Sequence, residues 1–170
     1  MLIIAGTGHY KVTLYRETQS QLVREDVRFT PDGWLDFRIT NNNQTQQACI
    51  LLEMDMDTHQ KPRFQKKIAS YVAFINEGLY EQAFNTTSVV IAFVTPTGDK
   101  RREQMKLWCE EQLVSSPIYR SSQHPTNGIN DASLFLFASI PPGALSPTDV
   151  FLSPLWYAPF DTQPQTLLVI

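Results

Sequence analysis

Two periods of apolar and polar positions divide the chain. Alternation at residues 34–39 puts Trp34, Asp36 and Arg38 on one face and Leu35, Phe37 and Ile39 on the other, the pattern of a half-buried strand. Shorter alternations at Val12/Leu14 and Val27/Phe29 predict edge strands. Residues 47–57, with Ala48-Cys49-Ile50-Leu51-Leu52, and the runs at 88–95 and 133–140 are apolar on both faces, as expected of strands covered on both sides. Between them the period becomes helical. Phe64, Ile68, Tyr71, Val72 and Ile75 predict a helix over 62–77 stopped by Gly78, and Met105, Leu107, Trp108 and Leu113 predict another over 100–114. Thr30-Pro31-Asp32-Gly33 reads as a turn, and the polar run 41–47 as a loop joining its flanking strands in a hairpin. Residues 117–130 read as a loop, Pro141-Pro142-Gly143 breaks the last strand, and a proline-rich tail carries Val150-Phe151-Leu152, Trp156 and Leu167 to Ile170. The element order predicts an α/β protein with one mixed sheet, in a single domain spanning 1–170.

A chain of 170 residues buries roughly two-thirds of its unfolded surface without disulfides. Cys49 and Cys109 fall inside a strand and a helix, where free cysteine behaves as a small hydrophobe, and they suggest a reducing compartment. The apolar start, Met1-Leu2-Ile3-Ile4, lacks a basic leader and is short for a secretory segment. No run approaches the ~18 apolar residues of a membrane span. A soluble, cytoplasmic protein is therefore expected. A net charge of −3 and a pI near 5.6 argue against a generally DNA-coating surface, so nucleic-acid contact would be local. The local candidate is Lys100-Arg101-Arg102. Basic residues at a helix start oppose the helix dipole, so either Asp99 offsets them or they meet an anion. His9, His59 and His124 have no zinc-site spacing, and neither a glycine-rich phosphate loop nor a Gly-x-Ser-x-Gly elbow is present.

The chemistry concentrates between Thr30 and Tyr71. Side chains on a strand alternate, so Glu53 and Asp55 project together. Asp32 begins the neighbouring strand, and Lys67 and Tyr71 stand one helical turn apart beside the buried stripe. A carboxylate following five apolar strand residues is expected to be partly buried, which requires a partner: a metal ion or Lys67. Mg²⁺ takes oxygen ligands, and one or two carboxylates with water and substrate phosphate suffice. Asp32, Glu53 and Asp55 are thus candidate Mg²⁺ ligands. Lys67 would orient an attacking water or stabilise charge at phosphorus, and Tyr71 would contact substrate. Lys100, Arg101 and Arg102 are candidate phosphate-backbone contacts. For Asp32 the alternative is a turn former, for Asp55 an exposed loop-entry acid, which is also the reading for Asp57, and His59, near the acids, is either an accessory ligand or a loop residue.

Pro31-Asp32 and Glu53-Met54-Asp55 resemble the PD-(D/E)xK nuclease superfamily, with Asp55 standing where that pattern has lysine. Lys67, or Lys66, in the following helix would take the lysine's role. A closer resemblance, over about residues 20–115, is to the replication-relaxation family of plasmid and mobile-element proteins. It rests on Pro31-Asp32-Gly33, Glu53-Met54-Asp55-Met56-Asp57-Thr58, the helix from Arg63-Phe64-Gln65-Lys66-Lys67-Ile68 to Tyr71, and the strand from Val90 to Gly98 with its helix. Residues 116–170 lie beyond that likeness as C-terminal strands and tail. The resemblance implies a restriction-endonuclease-like three-layer fold, a central mixed sheet flanked by helices. It implies a DNA-associated role in plasmid replication, mobilisation or relaxation, with a Mg²⁺-dependent nuclease-like site whose catalytic residues are Asp32, Glu53, Asp55 and Lys67. The alternative is a non-catalytic module that keeps the fold for protein interaction or DNA docking. Expected partners are DNA, replication or mobilisation proteins and a second copy of the chain, with no membrane.

Overall fold

The computed structural model describes residues 9–16, 21–24, 27–41, 44–86, 88–116 and 131–168. The loop expected at 117–130 lies outside them. Three strands near the start are β1 (His9–Arg16), β2 (Gln21–Arg24) and β3 (Val27–Phe29), followed by β4 (Gly33–Asn41) and β5 (Gln44–Met54). Then come α1 (Lys61–Asn76), α2 (Leu79–Phe84), β6 (Val89–Thr95), α3 (Asp99–Ser115), a 3-10 turn (Asp131–Leu134), β7 (Phe135–Ser139) and α4 (Pro147–Leu152).

Among the described residues one sheet has the order β1-β4-β5-β6-β7 and a ribbon pairs β2 with β3. β1, β4 and β5 are antiparallel, whereas β5, β6 and β7 run parallel, so the mixed α/β sheet is present. The hairpin expected between β4 and β5 extends further than its polarity indicated. Register runs from Gly33↔Leu52 to Asn41↔Gln44, so most of the 41–47 segment is strand, its backbone groups paired across the ladder. Residues 27–29 belong to the ribbon rather than to the main sheet. Phe29 leaves it to pack on Tyr71 and Phe74, with ring centroids 4.4 and 5.0 Å apart.

Both faces of the sheet are covered. On one, Cys49, Leu51, Ile91, Phe93 and Phe137 meet Phe64, Ile68, Tyr71 and Phe74 of α1 and Met105, Cys109 and Leu113 of α3. On the other, Phe37, Ile50, Ala92 and Leu136 meet Trp156, Ala158, Leu167 and Leu168 from the tail. The tail is held by bridges Phe137↔Tyr157 and Trp156↔Gln165. Helices therefore dominate one face, and α4 with irregular chain closes the other. Pro62 suits the first turn of α1, where its missing N–H is not needed, and Gly78 at φ 65° takes the left-handed conformation that ends it. In α3 the buried positions Arg101, Met105, Cys109 and Leu113 recur every four residues. Leu107, expected inside, is 55% exposed. Both cysteines are free and buried. No helix among the described residues is long and apolar enough to cross a membrane.

α4 begins with a capping box. Ser146 accepts from the Asp149 N–H, and the Asp149 side chain accepts from the Ser146 N–H. Ser146→Ala is expected to cost about 1 kcal/mol, measured by thermal unfolding at pH 7.

Candidate functional site

The site stands where β5 and β6 end beneath α1 and α3. Period two puts Glu53 and Asp55 on the helical face and Met54 on the other, as the sequence required. A bond from the Asp55 N–H to the Val94 carbonyl, 2.8 Å, holds the chain in sheet geometry one step past β5. Asp57 then turns it at φ 61°, a left-handed conformation that Asp tolerates better than most residues. That turn brings His59 back onto Asp55.

Two acid–base groups result. In the first, Lys67 Nζ donates to Glu53 Oε2 at 2.6 Å and the Tyr71 hydroxyl donates to Oε1. Glu53 is 2% exposed. Burial pushes its carboxyl up to about 7, against the pull of Lys67's charge and the hydrogen bonds from Lys67 and Tyr71, with the negative charge of Asp32 adding to the rise. Burial and Glu53's charge push the Tyr71 hydroxyl well above its ordinary value, so it stays a donor. Asp32 is exposed at the edge, where Oδ2 accepts the Met54 N–H at 2.8 Å. This bond fixes the Pro-Asp-Gly turn against the strand that carries Glu53.

In the second group, Arg101 Nε donates to Asp55 Oδ2 at 2.6 Å, and His59 Nδ1 lies 2.9 Å from Oδ1. Arg101 also donates to the His59 carbonyl at 2.8 Å and to Gln104 Oε1 at 2.7 Å, and its Nε stands 3.1 Å from Asp57 Oδ1. Its guanidinium lies 5.0 Å from the Trp108 ring centroid. Burial raises the Asp55 carboxyl, but hydrogen bonds from Arg101 and His59, with their charges, outweigh it and hold Asp55 below its ordinary value. The two groups share a narrow cleft lined by Glu53, Met54, Asp55, His59, Phe64, Lys67 and Phe93.

Asp32, Glu53, Lys67 and Tyr71 are thus brought together. Asp55, on the same face, turns its carboxylate to α3. Of the basic trio, Lys100 is exposed and Arg101 is buried in the Asp55 ion pair. Arg102 pairs with Asp99 at 2.8 Å and Glu103 at 2.7 Å and lies 4.1 Å from the Tyr157 ring centroid. Arg101 and Arg102 are therefore offset by acids within the chain. Arg101, expected to meet a phosphate backbone, and His59, expected as a loop histidine or an accessory ligand, instead enter the site as the partners of Asp55. Each had a local signal: Arg101 sits one turn before Met105 on the buried stripe, and His59 lies four residues after Asp55.

The donor chemistry of Asp32 and Glu53 fits a hard divalent cation, with one exposed and one buried carboxylate set close enough for Asp32 to raise Glu53. Both oxygens of Glu53 are held by Lys67 and Tyr71 and both of Asp55 by Arg101 and His59, so an ion at either carboxylate would have to displace a donor, and at Asp55 that donor is the buried Arg101. Among the described residues no group of three or more His, Cys, Asp or Glu side chains stands ready to hold a metal ion. Fold and site together define an α/β protein with a buried, cation-balanced acidic centre at the ends of its parallel strands. No protein-family model and no curated protein matches the chain.

Proposed function

We propose that this chain is a DNA-associated domain of restriction-endonuclease-like architecture, serving plasmid or mobile-element replication or relaxation, with a nuclease-like site at Asp32, Glu53 and Lys67. The observation that carries this reading is the 2.6 Å contact between Lys67 and Glu53. A helix lysine reaches the strand acid whose own strand lacks a lysine at position 55. The order of three antiparallel strands, a crossover helix and a parallel strand supports the fold assignment. Asp32 and Glu53 would hold Mg²⁺, and the ion would act as a Lewis acid on a phosphodiester oxygen. Lys67 supplies positive charge where negative charge develops. Tyr71 fixes the Glu53 carboxylate, and Asp55 with Arg101 anchors the strand end to α3 as a positioning pair.

Calorimetric titration with Mn²⁺ tests the reading. Binding to the wild type should weaken by at least about tenfold in Asp32→Asn and in Glu53→Gln. Indifference to both substitutions, or no binding to the wild type, would sink it. DNA contact has its own readout: affinity that falls steeply with salt and drops in the Lys100→Ala/Arg102→Ala double variant.

A second reading is favoured by the closure of the site. Both oxygens of Glu53 are taken by Lys67 and Tyr71, and those of Asp55 by Arg101 and His59. A module that keeps this cluster as structural charge pairing and docks DNA or a protein would show the same geometry. It predicts no Mn²⁺ binding at Asp32 and no strand cleavage.

A further inference from the structure

Beyond Glu53 and Asp55, the end of β5 turns Met54 and then Met56 toward the opposite face of the sheet. There a cavity of about 360 Å³ opens between the sheet, the 140–145 segment, α4 and the tail. Its wall includes Leu52, Met54, Met56, Leu145, Phe151 and Trp156. Among the described residues, no wall residue carries a charged side chain. The one side-chain polar group, the Trp156 indole N–H, is already spent on the Val150 carbonyl at 2.8 Å. The volume falls within the roughly 300–1,000 Å³ of small-molecule sites. The exposed apolar side chains at this mouth are Met54, Met56 and Leu145, at 40%, 60% and 37%. A stable protein interface needs about 800 Å² per partner, more than three such side chains offer. Unbranched, polarisable methionines at the opening can adapt to a guest's shape.

We infer that this cavity binds a small, uncharged, hydrocarbon-rich molecule. Affinity comes from burying the guest's apolar surface. An ionised guest is disfavoured, since no cation or free hydrogen-bond donor in the wall would replace its water. The site is separate from the acidic centre but touches the same strand end, because the Met54 N–H holds Asp32.

The probe is 1-octanol, titrated into the full chain carrying ¹³C-methyl methionine. Met54 and Met56 resonances should shift together and saturably, while Met105, buried on the helical face, stays in place. Octanoate at pH 7.5 should bind about tenfold or more weaker than 1-octanol. Leu52→Trp, which fills the cavity, should weaken 1-octanol by a similar factor. If that variant does not fold, Leu145→Trp at the exposed mouth gives the same readout. Comparison with toluene separates an aliphatic from an aromatic guest, by whichever binds tighter. The inference is overturned by unmoved Met54 and Met56 resonances up to the solubility limit of both probes, by an equal shift at Met105, by octanoate matching 1-octanol, or by unchanged affinity in the filled variant.

Discussion

Replacing Arg101 with alanine should cost about 3–5 kcal/mol of folding stability, the range for removing one partner of a buried ion pair. Arg101 is 7% and Asp55 2% exposed, so Asp55 would keep only His59 as a nearby partner and lie buried with its charge largely uncompensated. The sign with pH follows from the lowered carboxyl. The pair's contribution is fully present above the ordinary value of 3.8 and is lost as pH falls through the lower folded value. Wild type and Arg101→Ala should therefore differ most near neutrality and converge in acid. Urea denaturation at a series of pH values measures both. Adding Asp55→Asn to Arg101→Ala should recover part of the loss, because it removes the stranded charge. A cost below about 1 kcal/mol at pH 7 would place the pair among ordinary surface bridges.

The second large effect has the opposite sign with pH. Burial raises Glu53 from 4.5 to about 7, so the folded state holds this proton more tightly than the unfolded chain. Its contribution is fully present below 4.5, declines as pH rises toward 7, and levels off above. At about 1.4 kcal/mol per unit, the decline amounts to about 3–4 kcal/mol. Glu53→Gln should flatten this interval, since a neutral side chain carries no proton to lose. Stability profiles of the two proteins between pH 4.5 and 8 test it, and parallel profiles would show that Glu53 is not the group responsible. Lys67 does not cancel the burial effect because a charge pair gains less from mutual attraction than two ions lose in leaving water.

Much of this centre was legible because it depends on short-range geometry. Period two alone put Glu53 and Asp55 on one face, and the spacing of Lys67 and Tyr71 relative to Phe64 and Ile68 put both over the strand end. Arg101 was harder to read because Lys100 and Arg102 flank it, and a basic run resembles a solvated face. Its spacing from Met105, Cys109 and Leu113 outweighed that appearance once Asp55 was available to neutralise it. The same register turned Leu107 to solvent. His59 depended on the backbone of Asp57, whose left-handed turn no side-chain pattern announces. The β4–β5 hairpin overran its polar segment because ladder pairing satisfies backbone groups whatever the side chains. The layer formed by α4 and Trp156 arises from contacts distant in sequence, and the cavity beneath it follows from how that layer sits on Ile50 and Leu52. No local period carries such information.

The most direct test of the proposed nuclease-like centre is a crystal structure of the chain soaked with Mn²⁺, read by anomalous scattering. The proposed chemistry predicts one ion coordinated by Asp32 and Glu53, with Asp55 still paired to Arg101 and Lys67 beside the ion. An empty Asp32–Glu53 site at saturating Mn²⁺, with Lys67 still bonded to Glu53, would contradict it and leave the acidic centre a structural charge pairing.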